Sequence, residues 1–394
     1  MAKIAVMGFG TVGSGVYEIA KEHDYRNKTG ETIDVVKILD IRDFKGHEAE
    51  SLITKEFTDI LNDKEISIVA ETMGGLHPAY EFTKELLMSG KSVVTSNKEL
   101  VATYGTELLE LAKKNNVSYL FEASVGGGIP IIRALTNSLT QENVVKIAGI
   151  LNGTTNYILT QMFENGKSFD EALKDAQELG YAEKNPAADV EGYDACRKIA
   201  ILSSLAWGKF TDYNNIPTEG ITKITEEDVK CAEMLDSVIK LIGYAECDAD
   251  GKVTAMVRPM MIKKVSPLAG VSDVFNAVLV TGDSLGDAMF YGKGAGKLAT
   301  ASAVMADIID AVKHCGENTG WTEEKTDFMK PADECPARFM VRVDKMPDAQ
   351  ILKNSEIVNK DNQICMITDM ICEKDLRESL KDCEVLSLIR ILEV

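Results

Sequence analysis

Long apolar runs are missing from this chain: no stretch of about 18 uncharged apolar residues occurs, which excludes an apolar membrane-spanning helix. Histidine is scarce, at 4 in 394 residues, and the 8 cysteines (Cys196, Cys231, Cys247, Cys315, Cys335, Cys365, Cys372, Cys383) include no Cys-x-x-Cys pair. A conventional zinc cluster needs such ligands at close spacing, so structural zinc is excluded and reduced thiols are expected. Positive charge is short as well: Lys+Arg 43 against Asp+Glu 62 gives a formal net charge of -19. A chain of that sign repels a phosphate backbone, so no nucleic-acid partner is expected. Residues 1–8 carry no cleavable small-residue site, and neither an internal repeat nor a low-complexity tract occurs. The expected setting is the cytoplasm, without membrane attachment. What is present is ordinary in proportion: 45% hydrophobic and 27% charged residues can bury a core. At roughly 150 residues per domain, the length suggests two or three domains.

From the N-terminus, short β-branched runs (residues 3–7, 33–40, 66–70, 92–95, 117–121) alternate with amphipathic stretches (12–21, 79–89, 105–115). That alternation predicts a parallel sheet with helical crossovers. After Gly126-Gly127-Gly128 the pattern changes. It gives a helix at 130–139, a strand at 144–151, helices at 168–179 and 194–210, and then long apolar runs at 253–265, 275–281 and 288–291 that fit an antiparallel or mixed sheet. A polar stretch at 322–336 precedes a short βαβ-like tail. The expected architecture is α/β: a doubly wound, Rossmann-type domain at 1–129, with a helix near 297–314 packing back onto it, an α+β domain at 130–321, and a small unit at 336–394.

Gly8-Phe9-Gly10-Thr11-Val12-Gly13 follows the first strand directly and opens a helix. Gly8 permits the turn, Gly10 lets backbone N–H groups approach a pyrophosphate, and Gly13 allows close helix–strand packing. The second strand ends Leu39-Asp40-Ile41-Arg42: an acid there accepts the ribose 2′-hydroxyl of NAD, whereas Arg pairs with the 2′-phosphate of NADP, so the choice stays open. Gly74-Gly75 and Thr95-Ser96-Asn97-Lys98 stand at the carboxyl ends of later strands, the edge along which open α/β sheets bind ligands. Residues 180–198 form a carboxylate-rich loop running into a helix on which Asp194 and Lys198 share a face. The uncharged residues 199–207 that follow bury this helix, so Lys198 points inward, where a lysine suits proton transfer. The plain alternative is an i,i+4 ion pair worth about 0.3–0.5 kcal/mol. Glu183 and Asp189 add acceptors suited to a substrate ammonium, or to Mg²⁺. The segment 122–130 with its three glycines reads as a hinge or as carbonyl donors for a hard monovalent cation.

In order and spacing, these segments, together with Asn152-Gly153-Thr154-Thr155-Asn156-Tyr157 and residues 291–304, resemble the homoserine dehydrogenases from Gly8 to about Asp307. These are NAD(P)-dependent enzymes that link homoserine and aspartate 4-semialdehyde. The resemblance implies that Lys198 is the acid/base, with Asp194 as its substrate-side partner and Lys98 beside nicotinamide and substrate. It implies that Glu183, Asp189 and Asp194 hold the amino-acid head group, bordered by Gly153 and by Thr154 in the turn 152–157. Cofactor contacts are implied at Gly8, Phe9, Gly10, Thr11, Val12, Gly13, Asp40, Arg42, Gly74, Thr95, Ser96, Lys98, Gly180 and Gly296. Carbonyl oxygens of Glu122, Val125, Gly127 and Ile129 are implied to hold a structural Na⁺. Where family members usually carry Pro, this chain has Ala299. The tail resembles a shortened ACT-type module, with Asp344-Lys345-Met346-Pro347-Asp348 in place of a Pro-Gly turn and a first helix barely visible, so feedback by threonine is not implied. Apolar strands in the second domain point to a homodimer or a dimer of dimers. The competing readings are a dehydrogenase of another amino-acid-derived semialdehyde and a non-catalytic nucleotide sensor.

Overall fold

The structure, a computed structural model, describes residues 1–322, 328–347, 356–360 and 363–393. Two compact units emerge. One comprises Met1–Glu142, Ala200–Tyr213 and Gly292–Lys325; the other comprises Asn143–Ile199, Asn214–Tyr291 and Thr326–Val394. The longer helices are α1 (Thr11–Glu22), α2 (Ala79–Met88), α3 (Lys98–Asn115), α4 (Gly153–Asn165), α5 (Phe169–Glu178), α6 (Tyr193–Trp207), α7 (Glu226–Met234), α8 (Lys297–Lys313) and α9 (Glu373–Ser379).

In the first unit β1 (Ala2–Met7), β2 (Ile33–Leu39), β3 (Ile53–Thr54), β4 (Ile66–Glu71), β5 (Ser92–Thr95) and β6 (Tyr119–Leu120) pair in the order β3-β2-β1-β4-β5-β6. Every pairing is parallel, which is the doubly wound arrangement the alternating runs predict. Ile4, Val6, Val69 and Ala70 are fully buried, because helices cover both faces of a parallel sheet and force its strands to be apolar throughout. Register then fixes the working edge. Met7 stands opposite Leu39 and Glu71, and Glu71 opposite Thr95, so four strands end in one row and their following loops leave together. Helix α8 packs on α1, where a Cβ on Gly15 would lie 2.9 Å from that of Ala301.

The second unit is built on β7 (Val144–Ile150), β8 (Ser237–Cys247), β9 (Val253–Lys263), β10 (Phe275–Gly282), β11 (Gly286–Lys293), β12 (Phe339–Val343), β13 (Glu356–Lys360), β14 (Gln363–Ile367) and β15 (Val385–Leu392). Their order is β11-β10-β7-β8-β9-β15-β12-β14-β13. Only the β15–β9 pairing among those described is parallel. Ile242, Tyr244, Met256, Met260 and Leu279 form the core on one face. Residues 336–394 contribute β12 to β15 and α9, and Arg342 of β12 reaches Asp228 of α7 at 2.9 Å, both side chains being buried. Residues 348–355 of the tail and residues 323–327 of the polar stretch lie outside the described residues. No described helix is long and apolar enough to cross a membrane.

Several elements depart from the sequence reading. Residues 152–157 are not a turn: Asn152 caps α4, whose first residues follow it. Gly, Thr and Asn are poor helix formers, and burial all round α4 leaves no amphipathic period to read. β8 escaped notice because Lys240 interrupts its apolar run, yet Lys240 is buried. Helix α7 and strand β13 were likewise not anticipated. The helix expected at 130–139 is a single α-turn, Ile131–Arg133, followed by a π-turn, Ala134–Ser138.

Candidate active site

The turn after β1 carries the fingerprint. Gly8 adopts φ +90, and a Cβ there would meet Met73 Cα and Thr72 O at 2.9 Å. A Cβ on Gly13 would stand 1.9 Å from the Gly8 carbonyl, so both glycines are required by the protein itself. Gly10 differs: nothing lies within 4 Å of its Cβ position. No side chain caps α1, so its first N–H groups face open space suited to an anion. Thr11 begins α1 and Val12 packs on the core. The Phe9 ring is buried against Tyr17, Phe44 and His47, leaving its backbone at the turn.

Asp40, directly after β2, is nearly buried. Its Oδ1 accepts from Arg42 N (2.9 Å) and Nε (3.0 Å), and its Oδ2 from Phe9 N (2.7 Å) and Arg42 Nη2 (2.8 Å). Burial pushes this carboxyl up, but the Arg42 guanidinium and the two amides outweigh it and hold Asp40 at about 2. Arg42 itself is largely exposed and lies over the Phe44 ring. Gly74 and Gly75 both adopt positive φ after β4. Asn97 donates to the Gly75 carbonyl at 2.6 Å and caps α3 through Leu100 N. Ser96 N reaches Glu71 O, and Lys98 is the first, half-buried residue of α3. Thus Gly8 to Gly13, Asp40, Arg42, Gly74, Thr95, Ser96 and Lys98 gather along one sheet edge. Gly296, at φ +119, opens α8 in the same unit.

Glu122 is buried, and burial pushes its carboxyl up. That carboxylate accepts from Ile132 N (2.9 Å) and Arg133 N (2.7 Å), while Glu122 N donates to Asp307. Arg133 ties Asp307 and Asp310 at 2.7 Å each. Gly126 and Gly127 turn with positive φ, and a Cβ on Gly127 would meet Gly294 O at 2.5 Å. Ile129 O accepts from Ile131 N, and Glu122 O from Val125 N. Val125 and Gly127 are buried, yet no donor among the described residues reaches their carbonyl oxygens.

The second unit holds the ammonium. Lys198 Nζ donates to Asp194 Oδ2 and to Leu151 O, each at 2.7 Å, and its side chain is 10% exposed. Asn152 Nδ2 bridges Asp189 Oδ1 (2.7 Å) and Asp194 Oδ2 (2.9 Å), while its Oδ1 caps α4 through Thr155 N. Thr154 Oγ1 donates to Tyr181 O, drawing the loop after Gly180 onto α4. Gly153 is packed, its Cβ position 2.8 Å from Val274 O. Glu183 is exposed, and its carboxylate makes no hydrogen bond or ion pair among the described residues. The geometry therefore joins Asp194 to Lys198 directly and to Asp189 through Asn152, with Gly153 and Thr154 on the adjoining helix, and leaves Glu183 and Gly180 in the loop. Sequence reasoning missed Asn152, although an Asn before a glycine-led segment is a cap signal. It also missed Glu71, a lone charge ending an apolar strand.

The family profile described as "Homoserine dehydrogenase, NAD binding domain" matches residues 8–122, and that described as "Homoserine dehydrogenase" matches residues 130–309. The homoserine dehydrogenase of Synechocystis is 45% identical over 317 residues, covering 79% of this chain and 73% of its own. That of Helicobacter pylori is 38% identical over 383 residues, covering 96% and 89%. A crystal structure of a homoserine dehydrogenase from Thiobacillus denitrificans superposes with a TM-score of 0.92 at 34% identity, covering 100% of this chain and 98% of that one. A hyperthermophilic archaeal homoserine dehydrogenase in complex with NADPH gives a TM-score of 0.66 at 30% identity, covering 79% and 97%. With its nucleotide fingerprint and its buried Lys–Asp pair each in the segment a family profile matches, the chain belongs to the homoserine dehydrogenase family.

Proposed function

We propose that this chain interconverts L-homoserine and L-aspartate 4-semialdehyde, as a step toward threonine and methionine, with NADP(H) as coenzyme. The observation that carries the reading is the buried Lys198–Asp194 pair, set by Leu151 O and Asn152 beside Asp189. A bound nicotinamide supplies the hydride in reduction and accepts it in oxidation. Lys198 moves the proton: its ammonium protonates the developing alkoxide in reduction, and its amine takes the hydroxyl proton in oxidation. Asp194 holds Lys198 in line, while Asp189 and Glu183 offer acceptors to the substrate ammonium.

The fingerprint turn fits a dinucleotide, because the space at Gly10 and the uncapped start of α1 are what a pyrophosphate needs. Asp40 bears on the coenzyme. A carboxylate has about four acceptor positions, and four donors already meet this one. It has none left for a ribose 2′-hydroxyl, whereas the largely exposed Arg42 offers a cation for a 2′-phosphate. Lys98 would stand beside nicotinamide and substrate. The carbonyls of Glu122, Val125, Gly127 and Ile129 would hold a Na⁺ that stiffens their loop, a role supported by the carbonyls of the buried Val125 and Gly127, which no donor among the described residues reaches. A cytoplasmic homodimer, or a dimer of dimers, completes the proposal.

The test follows nicotinamide absorbance with aspartate semialdehyde, its one-carbon homologues, NADPH and NADH in parallel, each with and without threonine. Turnover of aspartate semialdehyde with NADPH favoured is expected. Preference for a homologue overturns the substrate, and equal use of NADH overturns the coenzyme assignment.

A further inference from the structure

We infer that Glu71 is a positioning residue for the coenzyme, the carboxylate that locks together the loops leaving β4 and β5. The inference rests on the proposed coenzyme site and names what aligns it.

Glu71 ends β4 and is 0% exposed. A buried carboxylate without a cation beside it is costly unless its acceptor positions are filled. Here the filling groups come from the coenzyme loops themselves. Oε1 accepts from Met73 N at 2.8 Å and Oε2 from Thr95 Oγ1 at 2.6 Å, and the nearby Gly74 amide and Asn97 side chain favour the charged carboxylate against the burial that pushes it up. Thr95 Oγ1 in turn accepts from Asn97 N at 2.9 Å. Asn97 then reaches back to the Gly75 carbonyl at 2.6 Å. The next residue extends the lock to the fingerprint: Thr72 Oγ1 donates to Gly8 O at 2.8 Å and Met7 O at 3.0 Å. Glu71, through Thr95 and Asn97, therefore ties the segment after β4 to the loop bearing Ser96 and Lys98. An apolar residue at the end of this strand would pack as well, but it would leave the Met73 amide and the Thr95 hydroxyl without their shared acceptor. A carboxylate buried for packing alone would not draw its donors from two such loops.

Glu71→Gln keeps shape and removes charge and one acceptor. The experiment measures NADPH Kd by fluorescence, KM for homoserine, thermal midpoint, and amide exchange at 72–75 and 96–98. The expected result is a rise of about 10-fold in NADPH Kd, with faster exchange in both loops and homoserine KM within about twofold. An unchanged NADPH Kd in folded Glu71→Gln protein overturns the inference, even if the thermal midpoint falls. Should that variant not fold, Glu71→Asp, which keeps the carboxylate but draws it back from Met73 and Thr95, is read in the same way, and an unchanged Kd again overturns the inference. Wild-type protein that binds no NADPH would instead defeat the coenzyme site, a separate failure.

Discussion

Replacing Lys198 by alanine removes an ammonium that bridges Asp194 and the Leu151 carbonyl, both at 2.7 Å. Two effects follow and must be separated. Breaking a buried ion pair costs about 3–5 kcal/mol when the remaining charge is stranded. Asp194 keeps the Asn152 amide at 2.9 Å, so a loss near the lower end, about 3 kcal/mol, is expected, and thermal unfolding will read it. The chemical effect is distinct, because removing a general acid lowers kcat by about 100-fold to 10,000-fold. NADPH binding, read by fluorescence, should change little, since the fingerprint turn and Asp40 belong to the first unit and Lys198 to the second. Lys198→Arg sharpens the separation. Arginine restores a cation for Asp194 but stays protonated across the working range, so it supports the fold and not proton return. Both variants should therefore lose turnover while only the alanine variant loses stability. Turnover within about tenfold of wild type in folded Lys198→Ala protein would show that another group moves the proton.

Arg42→Ala should raise KM for NADPH by about 10-fold or more while improving NADH, because it removes the cation and frees acceptor positions on Asp40; an unchanged NADPH:NADH ratio of kcat/KM refutes this. Gly10→Val should leave unfolding almost unchanged and abolish nucleotide binding, whereas Gly13→Ala should destabilise the fold itself, as their surroundings differ so sharply; paired melts and NADPH titrations decide. Lys240 donates to Asn156 Oδ1 and Val271 O, and burial lowers it from 10.5 to about 8. Between those two values the unfolded chain binds the extra proton, so stability should rise with pH across the window by up to about 3 kcal/mol. Lys240→Met should lose that rise, and denaturant unfolding curves that climb equally in both proteins would refute it.

The first unit was legible because its signals are local and redundant. Largely apolar runs alternating with helices, each ended by Gly, Asp or Thr at the same edge, can hardly form anything but a parallel sheet with its loops together. The second unit was less so, for a physical reason. Strand β8 and helix α4 are polar where a core element should be apolar, and each polar residue is satisfied by the other: Lys240 on the strand meets Asn156 on the helix, and both reach Val271 O. Neither residue reads as interior until its partner, 84 positions away, is known.

The same principle divides the candidate site. Lys198 and Asp194 sit one helical turn apart, so their meeting follows from period alone. What aims them does not. Asn152 spans 37 and 42 positions to reach Asp189 and Asp194, and its capping of α4 makes the helix start and the carboxylate cluster one rigid object. Asn152→Ala thus tests whether the aim matters: it removes the bridge and the cap but no acid, base or charge. If alignment limits the reaction, kcat should fall by about 10-fold or more, beyond what about 1 kcal/mol of lost capping explains through stability. A variant that melts earlier yet turns over at the wild-type rate would reduce Asn152 to a helix cap, and the Lys–Asp pair would then owe its geometry to α6 and the Leu151 carbonyl.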